Sequence, residues 1–286
     1  MDHVLTGGMP FTVSRPERQT APLVIASAHS GRAYDEAFLA ASRLDPLALR
    51  RSEDSFIDEL FAAAPSVGAP LIAAEFPRAY CDPNREAWEL DPTMFEDALP
   101  PWVNTNSPRV AAGLGMIARV VSSGEIIYRQ KLRFSEAERR FRECWQPFHD
   151  GLVNLIDDTK RRFGSALLVD CHSMPTGALL GRGHVDFVIG DVHGTSCSGA
   201  VTQLIETTLS HLGYKVRRND PYAGGYITRT YGRPETGRHA VQIEVARRLY
   251  MDEARFERRP EFRQVARHME SLLTALAEQA PAVLGG

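Results

Sequence analysis

The sequence predicts an α/β fold in which a mixed central sheet is flanked by helices, carried by a single domain over residues 1–286. Three observations lead there. Short β-rich runs alternate with longer helical patterns, as they do when helices cover both faces of a central sheet. Several of those runs are continuously apolar, the mark of strands buried on both sides. The chain is about twice as long as a common domain, its 43% hydrophobic content suffices for one large core, and nothing between residues 20 and 280 reads as a boundary.

In chain order, the first strand is expected over residues 22–27 (PLVIAS). It runs straight into Ala28-His29-Ser30-Gly31, where the glycine is expected to let the backbone turn sharply. Residues 50–61 read as a helix burying Phe56, Ile57, Leu60 and Phe61. If that helix includes residue 50, Glu53 falls inside its apolar arc and Asp54 at the edge; if it begins at Asp54, that residue is simply its N-cap. A second strand follows at 70–75 (PLIAAE), and residues 83–109, with several prolines, Trp88 and Trp102, read as a long loop lying over something. A strand is expected at 125–128 (EIIY). A capping box at Ser135-Glu136-Ala137-Glu138 then opens a helix whose stripe is Phe141, Trp145, Phe148, Leu152 and Ile156. Strands at 166–170 (ALLVD), 186–190 (DFVIG) and 239–246 (HAVQIEVA) come next. A helix at 261–278, with Phe262, Val265, Met269, Leu272 and Leu276 on one face, closes the chain.

The balance of 33 Lys+Arg against 36 Asp+Glu leaves a formal charge of −3, so there is no global basic field to track a phosphate backbone, and nucleic acid is not an expected partner. Cys81, Cys144, Cys171 and Cys197 stand far apart without a CxxC pair, which fits reduced thiols better than a disulfide scaffold. The N-terminal Met1-Asp2-His3-Val4-Leu5 has no Lys/Arg cluster ahead of an apolar run, and no apolar stretch reaches the length of a membrane span. The expectation is a cytoplasmic protein with no membrane partner; its oligomeric state is left open.

The chemistry-bearing residues gather at strand ends, where open α/β sheets bind ligands. His29 ends one apolar strand, and Leu167-Leu168-Val169-Asp170 leads into Cys171-His172-Ser173 at the end of another. Either histidine by itself reads more readily as a core or turn residue. Their repeated placement is what a metal with two imidazole ligands needs, and its third ligand would be a carboxylate, for which Glu53 and Asp54 are both candidates. In the strand 239–246, alternation puts Val241, Ile243 and Val245 on one face and Gln242 with Glu244 on the other. An acid there is either paired, with Arg247 and Arg248 at hand, or a general base acting on a water at the metal. Arg78 and Arg85, around Asp82-Pro83-Asn84, and Arg229, in Gly224-Gly225-Tyr226-Ile227-Thr228-Arg229, suit a bidentate grip on substrate carboxylates, although surface pairing is the common fate of an arginine. Two rivals stand beside a metalloenzyme. One is a cysteine-dependent amidase built on Cys171 with His193. The other is a non-catalytic protein that keeps the pocket for a metal or a carboxylate.

With these residues in view, the sequence resembles the N-formylglutamate amidohydrolase family. The resemblance is carried by Gly224-Gly225-Tyr226-Ile227-Thr228-Arg229, Tyr231-Gly232, His239-Ala240-Val241-Gln242-Ile243-Glu244 and Tyr250-Met251-Asp252-Glu253, with His29-Ser30-Gly31, Asp54, Asp82-Pro83-Asn84-Arg85 and Asp170-Cys171-His172-Ser173 in the same order. It implies the phosphorylase/hydrolase-like fold of zinc carboxypeptidases and one Zn2+ held by His29, Asp54 and His172, with Glu244 as the catalytic base. Asn84 and Arg85 would bind a substrate carboxylate, with Arg229 and His193 as further substrate contacts. The implied reaction hydrolyses the amide bond of N-formyl-L-glutamate, or of a related N-acyl acidic amino acid, giving formate and L-glutamate as at the end of one histidine-degradation route. Two positions depart from the pattern. Arg32 stands where carboxypeptidases carry an acidic ligand three residues after the first histidine, and Pro83 stands where many family members have leucine.

Overall fold

The computed structural model describes residues 9–179, 181 and 183–284, so the segment Met1–Leu5 read above for a leader lies outside the described residues. In chain order the sheet strands are β1 Phe11–Ser14, β2 Leu23–Ser27, β3 Leu71–Ala74, β4 Ala166–Met174, β5 Phe187–Gly190, β6 Val216–Arg218 and β7 Arg238–Ala246. The helices are α1 Glu36–Ala41, α2 Pro46–Leu49, α3 Ile57–Leu60, α4 Pro108–Ala111, α5 Phe134–Arg140, α6 Gln146–Phe163, α7 Gly199–His211, α8 Tyr226–Tyr231 and α9 Phe262–Val283. Among the described residues no helix is long and apolar enough to cross a membrane.

Contacts group the chain into two units that interleave in sequence, one formed by Met1–Thr12, Ala28–Glu53 and Ala73–Gly151, the other by Val13–Ser27, Asp54–Ile72 and Leu152–Gly286. The sheet has the order β1-β3-β2-β4-β7-β5-β6. In the second unit β2, β4 and β7 run parallel, while β5 joins β7 antiparallel and takes β6 in parallel, so the sheet is mixed as expected.

Strand alternation divides the work of its two faces. Leu23 and Ile25 of β2, Leu167, Val169 and Cys171 of β4, and Val241, Ile243 and Val245 of β7 point into one core with Ile205 and Leu209 of α7 and Met269, Leu272 and Leu276 of α9. Burying each such aliphatic side chain is worth about 1.5–3 kcal/mol relative to exposing it. The opposite face of β4 and β7 carries Asp170, His172, Gln242 and Glu244, and α8 packs on those same two strands. One face therefore supplies the stability, and the other is free to carry chemistry.

In the first unit α1 and α2 are capped by Asp35 and Asp45. α5 does not use the capping box read from the sequence. It starts at Phe134, whose N–H donates to the Asp97 carboxylate at 2.7 Å, so Ser135 already lies inside the first turn. A π turn over Phe141–Trp145 joins α5 to α6.

Three further expectations are corrected. Residues 125–128 form no sheet strand: Ile126 and Tyr128 make isolated bridges to Val120 and Ser42, and the backbone of Ile127 is shared between Arg43 and Arg119 of separate loops. The helix expected over 50–61 is broken. A 3-10 turn covers Arg50–Ser52, Glu53 is extended, and Phe56 takes φ 67° ahead of α3. Gly31 is required by close approach rather than by a turn, since a Cβ there would meet the Phe76 carbonyl oxygen at 2.1 Å. β1 and β6, short and only partly buried, carry no pattern that separates them from loop.

Candidate active site

β2 and β4 are parallel neighbours with Ala26 opposite Asp170, so both strands end at the same edge of the sheet. His29 follows β2 by two residues, and His172 lies near the end of β4. β7 flanks β4 on the other side and sets Glu244 opposite His172 and Gln242 opposite Asp170. The two histidines and the strand carboxylate are thus delivered by consecutive strands of one sheet.

The broken helix at 50–61 sends Glu53 and Asp54 to different partners. Glu53 accepts from the Tyr34 hydroxyl at 2.7 Å and from Arg50 Nε at 3.1 Å. Asp54 instead turns to β4: its Oδ2 lies 2.9 Å from His172 Nδ1, and its Oδ1 accepts from the Ser173 hydroxyl at 2.8 Å and from Arg247 Nη2 at 3.4 Å. Behind the ring, His172 Nε2 is 3.0 Å from Asp170 Oδ1, and Asp170 is fully buried. Burial opposes a charged imidazole, yet the Asp170 and Asp54 carboxylates outweigh it and hold the pKa of His172 well above its ordinary value. The ring of His172 thus lies between two buried carboxylates, one of which also meets Arg247.

In the first unit an aspartate held by two arginines lies against His29. Its Nε2 is 2.7 Å from Asp82 Oδ1, while Asp82 Oδ2 accepts from Arg78 Nε at 2.9 Å and has Arg85 Nε 3.7 Å away. Burial would raise the Asp82 carboxyl, but Arg78, Arg85 and His29 hold it well below the usual range. The Asn84 N–H donates to Asp82 at 2.8 Å, and Arg85 donates to the carbonyls of Leu114 at 2.9 Å and Asn84 at 2.8 Å. Burial lowers the pKa of Arg85 to about 10 against the pull of Asp82. This loop is held from behind by one helix. Arg140 donates to the Tyr80 carbonyl at 2.9 Å, Trp145 Nε1 to that of Arg85 at 3.0 Å, and His149 Nε2 lies 2.8 Å from that of Pro83.

Among the described residues one group could hold a metal ion: His29, Asp54 and His172, all buried, with ligand atoms within 4.8 Å of one another. The donor set of two imidazoles and one carboxylate fits a catalytic metal. In both histidines Nε2 is the nitrogen that faces a supporting aspartate, the arrangement that orients an imidazole ligand.

The other sequence candidates fall in different places. Glu244 is buried, and its Oε1 accepts from Gln242 Nε2 at 2.7 Å. Of the arginines named as its structural partners, Arg247 donates to Ser173 at 3.0 Å and Arg248 to Asp186 at 2.7 Å. Arg229 is exposed on α8. His193 is exposed too, in a turn after β5 where it takes φ 55° and donates its N–H to Asn219 at 3.3 Å. Cys171 points into the apolar core, and burial, assisted by Asp170, pushes its thiol well above the usual range. That removes the thiolate on which the cysteine amidase depends. Sequence reasoning assigned no role to Asp82, Asp170 or Ser173, and named Arg247 only as a partner for Glu244. Asp170 could have been found by strand alternation, lying two residues before His172 on the same face; the other three are fixed by the tertiary fold.

The family model of N-formylglutamate amidohydrolase matches residues 21–251. The N-formylglutamate deformylase of Pseudomonas aeruginosa is 32% identical over 83% of this chain and 85% of its own length, and that of Pseudomonas putida 28% identical over 81% and 82%. The crystal structure of an N-formylglutamate amidohydrolase from Ralstonia eutropha JMP134 is similar with a TM-score of 0.89 and 37% identity, covering 94% of this chain and 97% of that one.

Proposed function

Since the chain belongs to the N-formylglutamate amidohydrolase family, we propose that it is a zinc-dependent amidohydrolase cleaving N-formyl-L-glutamate, or a related N-acyl acidic amino acid, to formate and L-glutamate. The observation that carries this reading is the buried His29, Asp54 and His172 group with an aspartate behind each ring. Residues 1–286 act in it as one catalytic domain, a reading supported by the interleaving of the two units along the chain.

His29, Asp54 and His172 would hold the ion. When bound there, Zn2+ polarises the formyl carbonyl and makes water a better nucleophile at neutral pH. Glu244 takes the proton of the attacking water and returns it to the nitrogen of the departing glutamate, which leaves as a neutral amine rather than as an anion. Ser173 and Arg247 occupy one oxygen of Asp54 and turn the other toward His172. Arg85, tied to His29 through Asp82 and supported by Asn84, supplies the charge for a glutamate carboxylate, with Arg229 and His193 as the more exposed contacts. Held at its acidic end, the substrate presents a small formyl group to the base. The products are those formed at the end of one histidine-degradation route.

The test measures metal content beside turnover on N-formylglutamate, N-formylglutamine and N-formylmethionine. Chelation is expected to abolish turnover and added zinc to restore it, with N-formylglutamate the best substrate. Full activity in chelated, metal-free protein would overturn the zinc reading, and no turnover of any N-formyl amino acid by the zinc-loaded protein would leave the non-catalytic alternative.

A further inference from the structure

We propose that Gln242 is a positioning residue that fixes the carboxylate of Glu244, with the Gly225 N–H as its anchor. The inference rests on the reading of Glu244 as the base. Gln242 is 4% exposed and precedes Glu244 by two residues on β7, so alternation turns both side chains to the face away from the core. Its amide is engaged at both ends: Nε2 donates to Glu244 Oε1 at 2.7 Å, and Oε1 accepts from the Gly225 N–H at 2.7 Å. These bonds define the orientation of the amide. A flipped amide would set its oxygen against the carboxylate and its NH2 against the N–H.

The consequence for Glu244 is mechanical. A glutamate side chain rotates easily about its last bond, and a base must present one oxygen along one direction to receive a proton. The bond from Gln242 holds Oε1 and with it the plane of the carboxylate. The anchor is stiff because Gly225 immediately precedes α8, which packs on β7 and β4. Thr228 of α8 adds its hydroxyl 3.4 Å from Asp170 and 3.5 Å from Gln242. Loss of this hold leaves the base present but imprecisely aimed, and misplacing a reacting group by about 1 Å costs on the order of 100-fold in rate.

The test is Gln242→Met, which keeps the volume and removes both bonds, in the zinc-loaded full chain. Gln242→Ser, with room for a water at the Gly225 N–H, takes its place if the methionine variant does not fold. We expect kcat to fall about 10- to 100-fold while KM and zinc content stay near native. In a Glu244→Gln background the same change should lower the residual turnover no further, because there is no base left to aim. Native kcat in a folded Gln242 variant overturns the positioning role, and so does an equal further loss in the Glu244→Gln background. If Glu244→Gln alone turns over at the native rate, the reading of Glu244 as base falls and the proposal with it, an outcome that the single Glu244 variant tells apart from the first two.

Discussion

Each of the rings of His29 and His172 has an aspartate oxygen within 3.0 Å of its Nε2, and that dictates what their removal should do. His29→Ala or His172→Ala takes away a donor and should sharply reduce zinc stoichiometry with near-native circular dichroism; full occupancy in both variants would remove them as ligands. Asp82→Asn leaves His29 in place but weakens its support, for which a loss of about 10- to 100-fold in zinc affinity is the usual scale. Asp54→Ala should lose the metal and Glu53→Ala retain it, because Glu53 is bonded to Tyr34 and Arg50 and Asp54 faces His172. Reversed results for this pair would exchange the two residues. Arg85→Ala should weaken discrimination of N-formylglutamate over N-formylglutamine by about 2 to 4 kcal/mol, the scale of a desolvated charge pair. An unchanged preference ratio would move that role to Arg229. The placement of His172 and Glu244 was legible in the sequence because each sits at a fixed register on an apolar strand, and that of His29 because it closely follows one. The choice between Glu53 and Asp54 was not, since it depends on a helix breaking at Glu53 and on Phe56 entering the left-handed region.

At the scale of elements, long apolar periodicity was readable and local irregularity was not. β2, β4, β5, β7 and α9 follow their patterns because each buries a continuous face. The π turn at Phe141–Trp145 leaves no such trace, yet it has a use. It inserts one residue between Arg140 and Trp145, so these two and His149 rise along one side of the helix and meet the carbonyls of Tyr80, Arg85 and Pro83 in the loop that carries Arg85. Removing one of these bonds should loosen that loop without touching the base. His149→Ala and Trp145→Phe are each expected to raise KM for N-formylglutamate about fivefold, corresponding to about 1 kcal/mol for a lost hydrogen bond, with kcat little changed. A fall in kcat at constant KM would show that the loop serves the chemical step instead.

Across the whole molecule, the residues that would bind the ion come from distant parts of the chain: His29 after β2, Asp54 ahead of α3 and His172 in β4. No short fragment contains the set, and an unfolded chain cannot hold them together. Metal binding at this site would therefore be coupled to folding, because an ion would bind the native state and hardly bind the unfolded one. At free zinc 100 times its dissociation constant, one site adds about 2.7 kcal/mol to stability. For a chain of this size each kcal/mol raises the melting temperature by about 2 °C, so the zinc-loaded protein should melt roughly 5 °C above the chelated one. His172→Ala should melt at the same temperature with and without zinc, which separates binding at this site from a general effect of the ion. Native protein that melts identically in chelator and in excess zinc would show that the cluster is closed by its own hydrogen bonds and takes no ion.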